Sequence, residues 1–179
     1  MASDAQVSIA VAAKSMEGAV DLASLQIYDA RKMDIQSIDL VNGPLYMRDF
    51  LAAFEAAAKM AIRARKKYED AKTEAKHQEA KAKLERFTAY YEANKATLGA
   101  LKDSSSLRDA YVDLDQDYMD AKERVNALQA LTAYLDNKTE SYRMAHDDAK
   151  KIYGQLQSGP FARSGYTGLS SGGHLGDEG

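Results

Sequence analysis

The chain has no cysteine and no tryptophan, and only two of its 179 residues are proline, Pro44 and Pro160. Without cysteine, disulfide bonds, thiolate zinc sites and cysteine nucleophiles are excluded. No apolar run approaches the ~20 residues that a membrane-spanning helix needs, so we expect a soluble protein that has no membrane partner. Glycine-rich phosphate loops and the common hydrolase motifs are also missing. We therefore expect neither an enzyme nor a bound cofactor or metal.

The residues that are present favour helix. The proline-free stretch from 45 to 159 is rich in Ala, Leu, Lys, Glu and Arg, which have high helix propensity. From 45 to 95, apolar residues and alanines recur every three or four positions, with one phase slip between Ala75 and Ala80, which indicates a long amphipathic helix. The predicted fold class is all-α, with long amphipathic helices that form a helical hairpin or a coiled-coil oligomer.

Three regions follow one another along the chain. Residues 1–43 are an N-terminal helical or mixed region, with a short helix that ends near Met16 and a turn and helix stop at 42–44. Residues 44–157 form the helical domain, and residues 158–179 form a glycine-rich tail that we expect to be disordered. Inside the helical domain, a serine cluster predicts the N-cap of a short helix through Val112, and a further helix start follows at Asp115.

After Asp115, apolar residues recur every three or four positions to the end of the helical domain. A helix of this length would extend ~60 Å, which is too long for the interior of a compact domain of this size. Its apolar seam must therefore face either the first long helix or another subunit. The seam positions predicted to drive homo-oligomerisation are Tyr118, Val125, Leu128, Leu135, Tyr142, Ala149, Tyr153 and Leu156.

The charges are distributed unevenly. Ten basic and five acidic residues lie in 59–86, whereas eleven acidic and five basic residues lie in 103–148. Cations spread along a helix can neutralise phosphates, and nearby aromatic rings can stack on unpaired bases. The other interpretation is a solvated helix face with ion pairs four residues apart, such as Lys66 with Asp70. The candidate DNA-binding residues are Arg63, Arg65, Lys66 and Lys67 first, then Lys59, Tyr68, Lys72, Lys76, Lys83 and Arg86.

Several stretches together resemble a known family. They are residues 42–46 before the long helix, the basic stretch Ala61-Ile62-Arg63-Ala64-Arg65-Lys66-Lys67-Tyr68, the tyrosine pair at 90–91, and residues 107–117 and 141–154 toward the end of the helical domain. In their order they are similar to the UvsY-type recombination mediators of tailed phages, over roughly residues 25 to 154. In that family the basic motif runs directly into a tyrosine pair, whereas here Tyr90-Tyr91 comes later. Residues 83–86 are therefore a competing placement of the DNA-contacting cations.

The resemblance implies a function. It implies a homo-oligomer that binds single-stranded DNA and loads a RecA-like recombinase, from the phage or its host, onto strands coated with single-strand-binding protein. It also implies that the protein acts in the cytoplasm of the infected bacterial host. The alternative is a structural coiled-coil protein, such as a phage virion component or assembly chaperone, in which the basic and acidic helices pair with each other and no DNA is bound.

Overall fold

A computed structural model describes residues 4–16, 18, 20–98 and 104–159. These residues contain no β-strand, so the predicted all-α class is confirmed. None of the described helices is long and apolar enough to cross a membrane. The predicted disordered tail lies outside the described residues, except for its first two positions. The α-helices are α1 (Asp4–Lys14), α2 (Leu22–Met33), α3 (Gly43–Lys81), α4 (Phe87–Leu98), α5 (Ser105–Val112) and α6 (Gln116–Ser158).

A π-turn, Ala82–Arg86, joins α3 to α4 without a break in the helical backbone. The N–H of Phe87 donates to the carbonyl of Ala82, five residues earlier. Both of these residues are fully buried, and an α-helix would turn positions five apart to different sides. The wider π-turn keeps them on one side. The predicted phase slip is therefore real but was placed too early, and the apolar side chain of Leu84, within the π-turn, is 65% exposed.

The helix starts follow the predicted caps. Ser104 is the N-cap of α5, and its hydroxyl accepts a hydrogen bond from the N–H of Leu107. Asp115 precedes α6, and its carboxylate accepts a hydrogen bond from the N–H of Tyr118 at 2.9 Å. Both bonds satisfy a backbone donor that has no partner within the helix. The 42–44 triplet differs from its prediction in one respect, because Gly43 and Pro44 open α3 and proline is tolerated in a first helical turn.

The described residues fall into two compact units. The first unit comprises Met1–Leu22 and Ala56–Thr139. Within it, α3 and α6 run antiparallel, as Arg65 lies beside Asp136 and Arg86 beside Asp115. The buried side chains are small on α3 and large on α6, and small side chains allow two helices to approach closely. The buried side chains of these two helices in this unit are Ala57, Ala61, Ala64 and Ala71, and Leu128, Leu131 and Leu135.

The second unit comprises Ala23–Glu55 and Glu140–Gly179. Its core contains Ile38, Phe50, Ala145 and Ala149, with Tyr153 and other partly buried side chains packed around them. Residues 17–41, for which the sequence suggested only a mixed stretch, include α2. This helix is held by Tyr142, whose buried hydroxyl donates to the carbonyl of Leu25 and contacts a carboxylate oxygen of Asp29, both at 2.9 Å. The domain boundaries predicted from the sequence stay predictions.

Candidate nucleic-acid interface

One segment of α3 carries only positive charge. No aspartate or glutamate occurs between Glu55 and Glu69. With 3.6 residues per turn, positions 59 and 66 lie on the side of α3 opposite its buried alanines, and positions 63 and 67 lie next to them on one flank. All four side chains are exposed. We define the cationic face as Lys59, Arg63, Lys66 and Lys67.

Three of these cations are available to an external anion. Within the described ranges, no ion pair joins Lys59, Lys66 or Lys67 to a carboxylate. The pair of Lys66 with Asp70, which the solvated-face interpretation suggested, is not formed, although Asp70 lies one turn further along the same helix. A phosphate approaching this face would therefore not have to displace a carboxylate from these lysines.

Arg65, another first-choice residue, lies differently. Its Nη2 atom donates to both carboxylate oxygens of Asp136 on α6, at 3.0 and 2.9 Å. The pair is open to solvent, since the two side chains are 60% and 45% exposed. Arg65 therefore flanks the cationic face, and a phosphate would have to compete with Asp136 for it.

Tyr68 and Lys72 face the side of α6. Tyr68 is half-buried and lines a shallow groove of about 280 Å³ with Gln129 and Thr132 of α6. The Nζ of Lys72 lies 5.1 Å from the centre of the Tyr68 ring and 3.3 Å from a carboxylate oxygen of Glu69. The ring of Tyr68 is thus turned away from the cationic face.

The remaining predicted cations on this stretch lie nearer the π-turn. Lys76 is exposed and borders a groove with Lys122 of α6. Lys83 donates to Glu79 at 2.9 Å and contacts Asp109 of α5 at 3.0 Å. The hydrogen bond with Glu79, and after it the one with Asp109, raises the pKa of the Lys83 ammonium above its ordinary value. The charge of Lys83 is therefore matched within the chain.

Arg86 is a structural residue in this arrangement. Its Nε and Nη2 atoms each lie 2.6 Å from an oxygen of Asp115, and its other contacts are to Gln78 and Asp117. The hydrogen bonds with Asp115 raise the pKa of Arg86, and those with Arg86 lower the pKa of the Asp115 carboxyl. With its guanidinium engaged on several sides, Arg86 has little capacity left for a phosphate.

The predicted oligomerisation residues are divided by burial. Leu128, Leu135, Tyr142 and Ala149 are at most 3% exposed within one chain, which corresponds to the alternative in which the seam packs inside the chain. Of the other four predicted positions, three are half-buried and Leu156 is 39% exposed. The half-buried positions are Tyr118, Val125 and Tyr153. The role of these four positions in oligomerisation stays a prediction.

The sequence did not reveal which cations would be neutralised. The sequence feature that could have indicated it is the acidic stretch 103–148. Its residues Asp136, Asp109 and Asp115 are the partners of Arg65, Lys83 and Arg86. The sequence also gave no reason to notice Ile62, which is 68% exposed beside the cationic face. Among the described residues, no group of three or more His, Asp or Glu side chains could hold a metal ion.

Comparisons of the chain with models of protein families, with curated proteins and with solved structures find no match.

Proposed function

We propose that this protein binds single-stranded DNA through the cationic face of α3 and acts, without catalysis of its own, as a recombination mediator. One observation carries the DNA-binding part of the proposal. Lys59, Lys66 and Lys67 are exposed on one side of a helix, in a segment without carboxylates, and none of them has an ion-pair partner in the described part of the chain. Three charges held so close together repel one another, and an arriving phosphate would relieve that repulsion.

The contact would be modest in one chain. Each lysine that neutralises a phosphate releases condensed counterions, and this supplies most of the binding free energy at low salt. Several copies of such a site in a homo-oligomer would hold one strand far more tightly than a single copy, because each further contact is intramolecular. An oligomer of this kind could hold a strand while single-strand-binding protein leaves and a RecA-like recombinase is loaded. This mediator role rests on the resemblance of residues 25 to 154 to UvsY-type proteins.

A structural role without DNA binding is the second candidate, and a specific observation favours it. Arg65, Lys83 and Arg86 of the basic stretch pair with carboxylates of the acidic stretch inside the chain. If the charges of the two stretches serve only to form these ion pairs, the protein is a structural helical component that binds no DNA. In that case the cationic face would be an ordinary solvated surface.

Binding of a fluorescent oligo-dT, measured by anisotropy over a salt series, tests the first proposal. The change is Lys59→Ala with Lys66→Ala and Lys67→Ala. We expect weaker binding and a plot of log affinity against log salt that is shallower by about 2, at about 0.7 for each phosphate that is no longer neutralised. The matched control, Lys14→Ala with Lys150→Ala and Lys151→Ala, removes the same charge at other exposed sites and should change the slope little.

Two results would count against the proposal. If the unchanged protein does not bind oligo-dT in dilute buffer, the structural candidate is favoured. If the two triple variants weaken binding equally, only the net charge matters and the cationic face is not the site. The mediator role has its own readout, the DNA-dependent ATPase of a phage RecA-like recombinase on DNA coated with single-strand-binding protein. The protein should shorten the lag of this ATPase, and the cationic-face variant should not.

A further inference from the structure

Ile62 lies at the edge of the cationic face, beside two of its lysines. It stands three residues after Lys59 and four before Lys66, so the three side chains are neighbours on the helix surface. Its side chain is 68% exposed. A single exposed isoleucine is common on protein surfaces and needs no explanation. This one is noteworthy because the charged residues closest to it in the helix are all cations.

The aromatic side chains in and near the basic stretch lie elsewhere. Tyr68 lines the groove towards α6. Tyr90 packs on Tyr111, with 5.2 Å between their ring centroids, and Phe87 lies 5.7 Å from the same ring. Tyr111 belongs to α5, and Asp113, just after α5, is an exposed carboxylate that would repel a phosphate. No aromatic side chain in the described part of α3 is therefore available on the cationic face to supply the apolar part of an interaction with DNA.

We propose that Ile62 packs against unpaired bases and makes the cationic face select single strands over duplexes. This inference rests on the proposed function. In a single strand, a base can turn its apolar face outward, and an isoleucine packed on that face removes apolar surface of both groups from water. In a duplex the base faces are covered by stacking, and the outer surface presents mainly phosphates and sugars. The lysines would bind either form, whereas Ile62 would favour only the single strand.

The two kinds of interaction differ in their response to salt. The lysine contribution falls as salt rises, because it depends on counterion release. The contribution of Ile62 comes from apolar burial and does not depend on counterions. Removing the isoleucine should therefore lower the affinity by the same factor at every salt concentration. A lysine variant, in contrast, should change the slope.

Ile62→Ala, measured against three fluorescent probes, tests the inference. The probes are oligo-dT, an abasic strand of the same length, and a duplex with an equal number of phosphates. We expect about a threefold to tenfold loss of affinity for oligo-dT at every salt concentration, from partial burial of one aliphatic side chain, and unchanged affinity for the other two probes. Leu84→Ala is the matched control, since Leu84 is 65% exposed in the π-turn and should affect no probe.

A second variant separates a base contact from an effect on the helix. Ile62→Trp keeps a large apolar side chain and adds a ring that can stack on a base, so it should bind oligo-dT at least as tightly as the unchanged protein. Ile62→Trp and the unchanged protein should bind the abasic strand with equal affinity. Circular dichroism should show unchanged helicity for Ile62→Ala and Ile62→Trp, since the position is exposed and neither residue is a strong helix breaker.

The outcomes are distinct. Equal losses of affinity on all three probes would show that Ile62→Ala disturbs the lysines, and unchanged binding to oligo-dT would show that no base touches this side chain; either result overturns the inference and leaves the proposed function standing. If the unchanged protein binds none of the probes, the proposed function falls and the inference falls with it.

Discussion

Asp115 holds Arg86 by two hydrogen bonds of 2.6 Å, from Nε and from Nη2, so that each carboxylate oxygen accepts one of them. The same carboxylate caps α6 through the N–H of Tyr118. Arg86 is the last residue of the π-turn and Asp115 the residue just before α6. The side chain of Asp115 is only 6% exposed. Its carboxylate therefore links the π-turn that follows α3 to the start of α6.

Asp115→Ala should destabilise the protein by about 3 kcal/mol, because it removes a helix cap and leaves a largely enclosed guanidinium without its main partner. The measurement is urea unfolding followed by circular dichroism. Asp113→Ala is the control, since Asp113 is exposed two residues earlier, and it should change the stability by less than about 0.5 kcal/mol. Equal effects of the two variants would contradict a special role for Asp115.

The stability should fall in acid because of the same carboxyl. The pKa of Asp115 is lowered in the folded protein by its hydrogen bonds with Arg86. At a pH between the lowered pKa of Asp115 in the folded protein and its ordinary pKa in the unfolded chain, the unfolded state binds more protons. The stabilisation is therefore complete above about pH 4 and is lost as the pH falls further. Asp115→Asn should flatten this acid dependence of the unfolding free energy. If Asp115→Asn kept the full dependence, other carboxyl groups would have to be responsible.

Gly43→Ala and Gly154→Ala should act in opposite directions. A Cβ atom on Gly43 would overlap the ring of Tyr153, whereas a Cβ on Gly154 has no atom within 4 Å outside its own helix backbone. The first change should cost about 1–3 kcal/mol through overpacking. The second should stabilise α6 by up to about 1 kcal/mol, as alanine is the better helix former. Thermal unfolding of the two variants beside the unchanged protein would show whether their midpoints move apart.

Asp136→Asn should strengthen binding to oligo-dT. The change frees Arg65, which flanks the cationic face, and one additional neutralised phosphate would raise the affinity by about threefold at low salt and steepen the salt dependence by about 0.7. Stability should change by only about 0–1 kcal/mol, since the ion pair is exposed. The control is Asp148→Asn, an equal charge change at another exposed position. The same increase in both variants would point to net charge alone.

Leu135→Asp should unfold the chain instead of only separating subunits. Leu135 is fully buried within one chain, and a carboxylate there would have neither water nor a partner. We expect the helical circular dichroism signal to disappear at low urea. Native mass spectrometry of the unchanged protein, with and without a thymidine oligomer, reports the subunit number separately. A folded Leu135→Asp variant of reduced mass would show that Leu135 faces another subunit.

Local features were predictable where they depend on neighbours in sequence. Ser104 and Asp115 cap their helices as expected, since a cap needs only a short polar side chain and a free N–H two or three residues later. The phase slip was predicted in kind but misplaced. Alanine occurs on both sides of α3, and its spacing could not show which alanines are buried.

The division of the cations could not be predicted in the same way. Arg65 and Lys66 are adjacent in sequence and chemically alike. Arg65 reaches Asp136, 71 residues away, whereas Lys66 lies on the outward side. Periodicity shows that the two side chains point in different directions, but it does not show which direction leads to a carboxylate.

The sequence by itself determined that this protein is helical, where α5 and α6 start, and that its positive and negative charges lie on different helices, because propensity, capping and charge order are local properties. Only the tertiary structure decided that the seam leucines are buried within the chain, that Arg65, Lys83 and Arg86 are paired, and that Lys59, Ile62, Lys66 and Lys67 remain exposed together. Those outcomes depend on the antiparallel register of α3 against α6 in the first unit, which is set by packing between residues far apart in the chain.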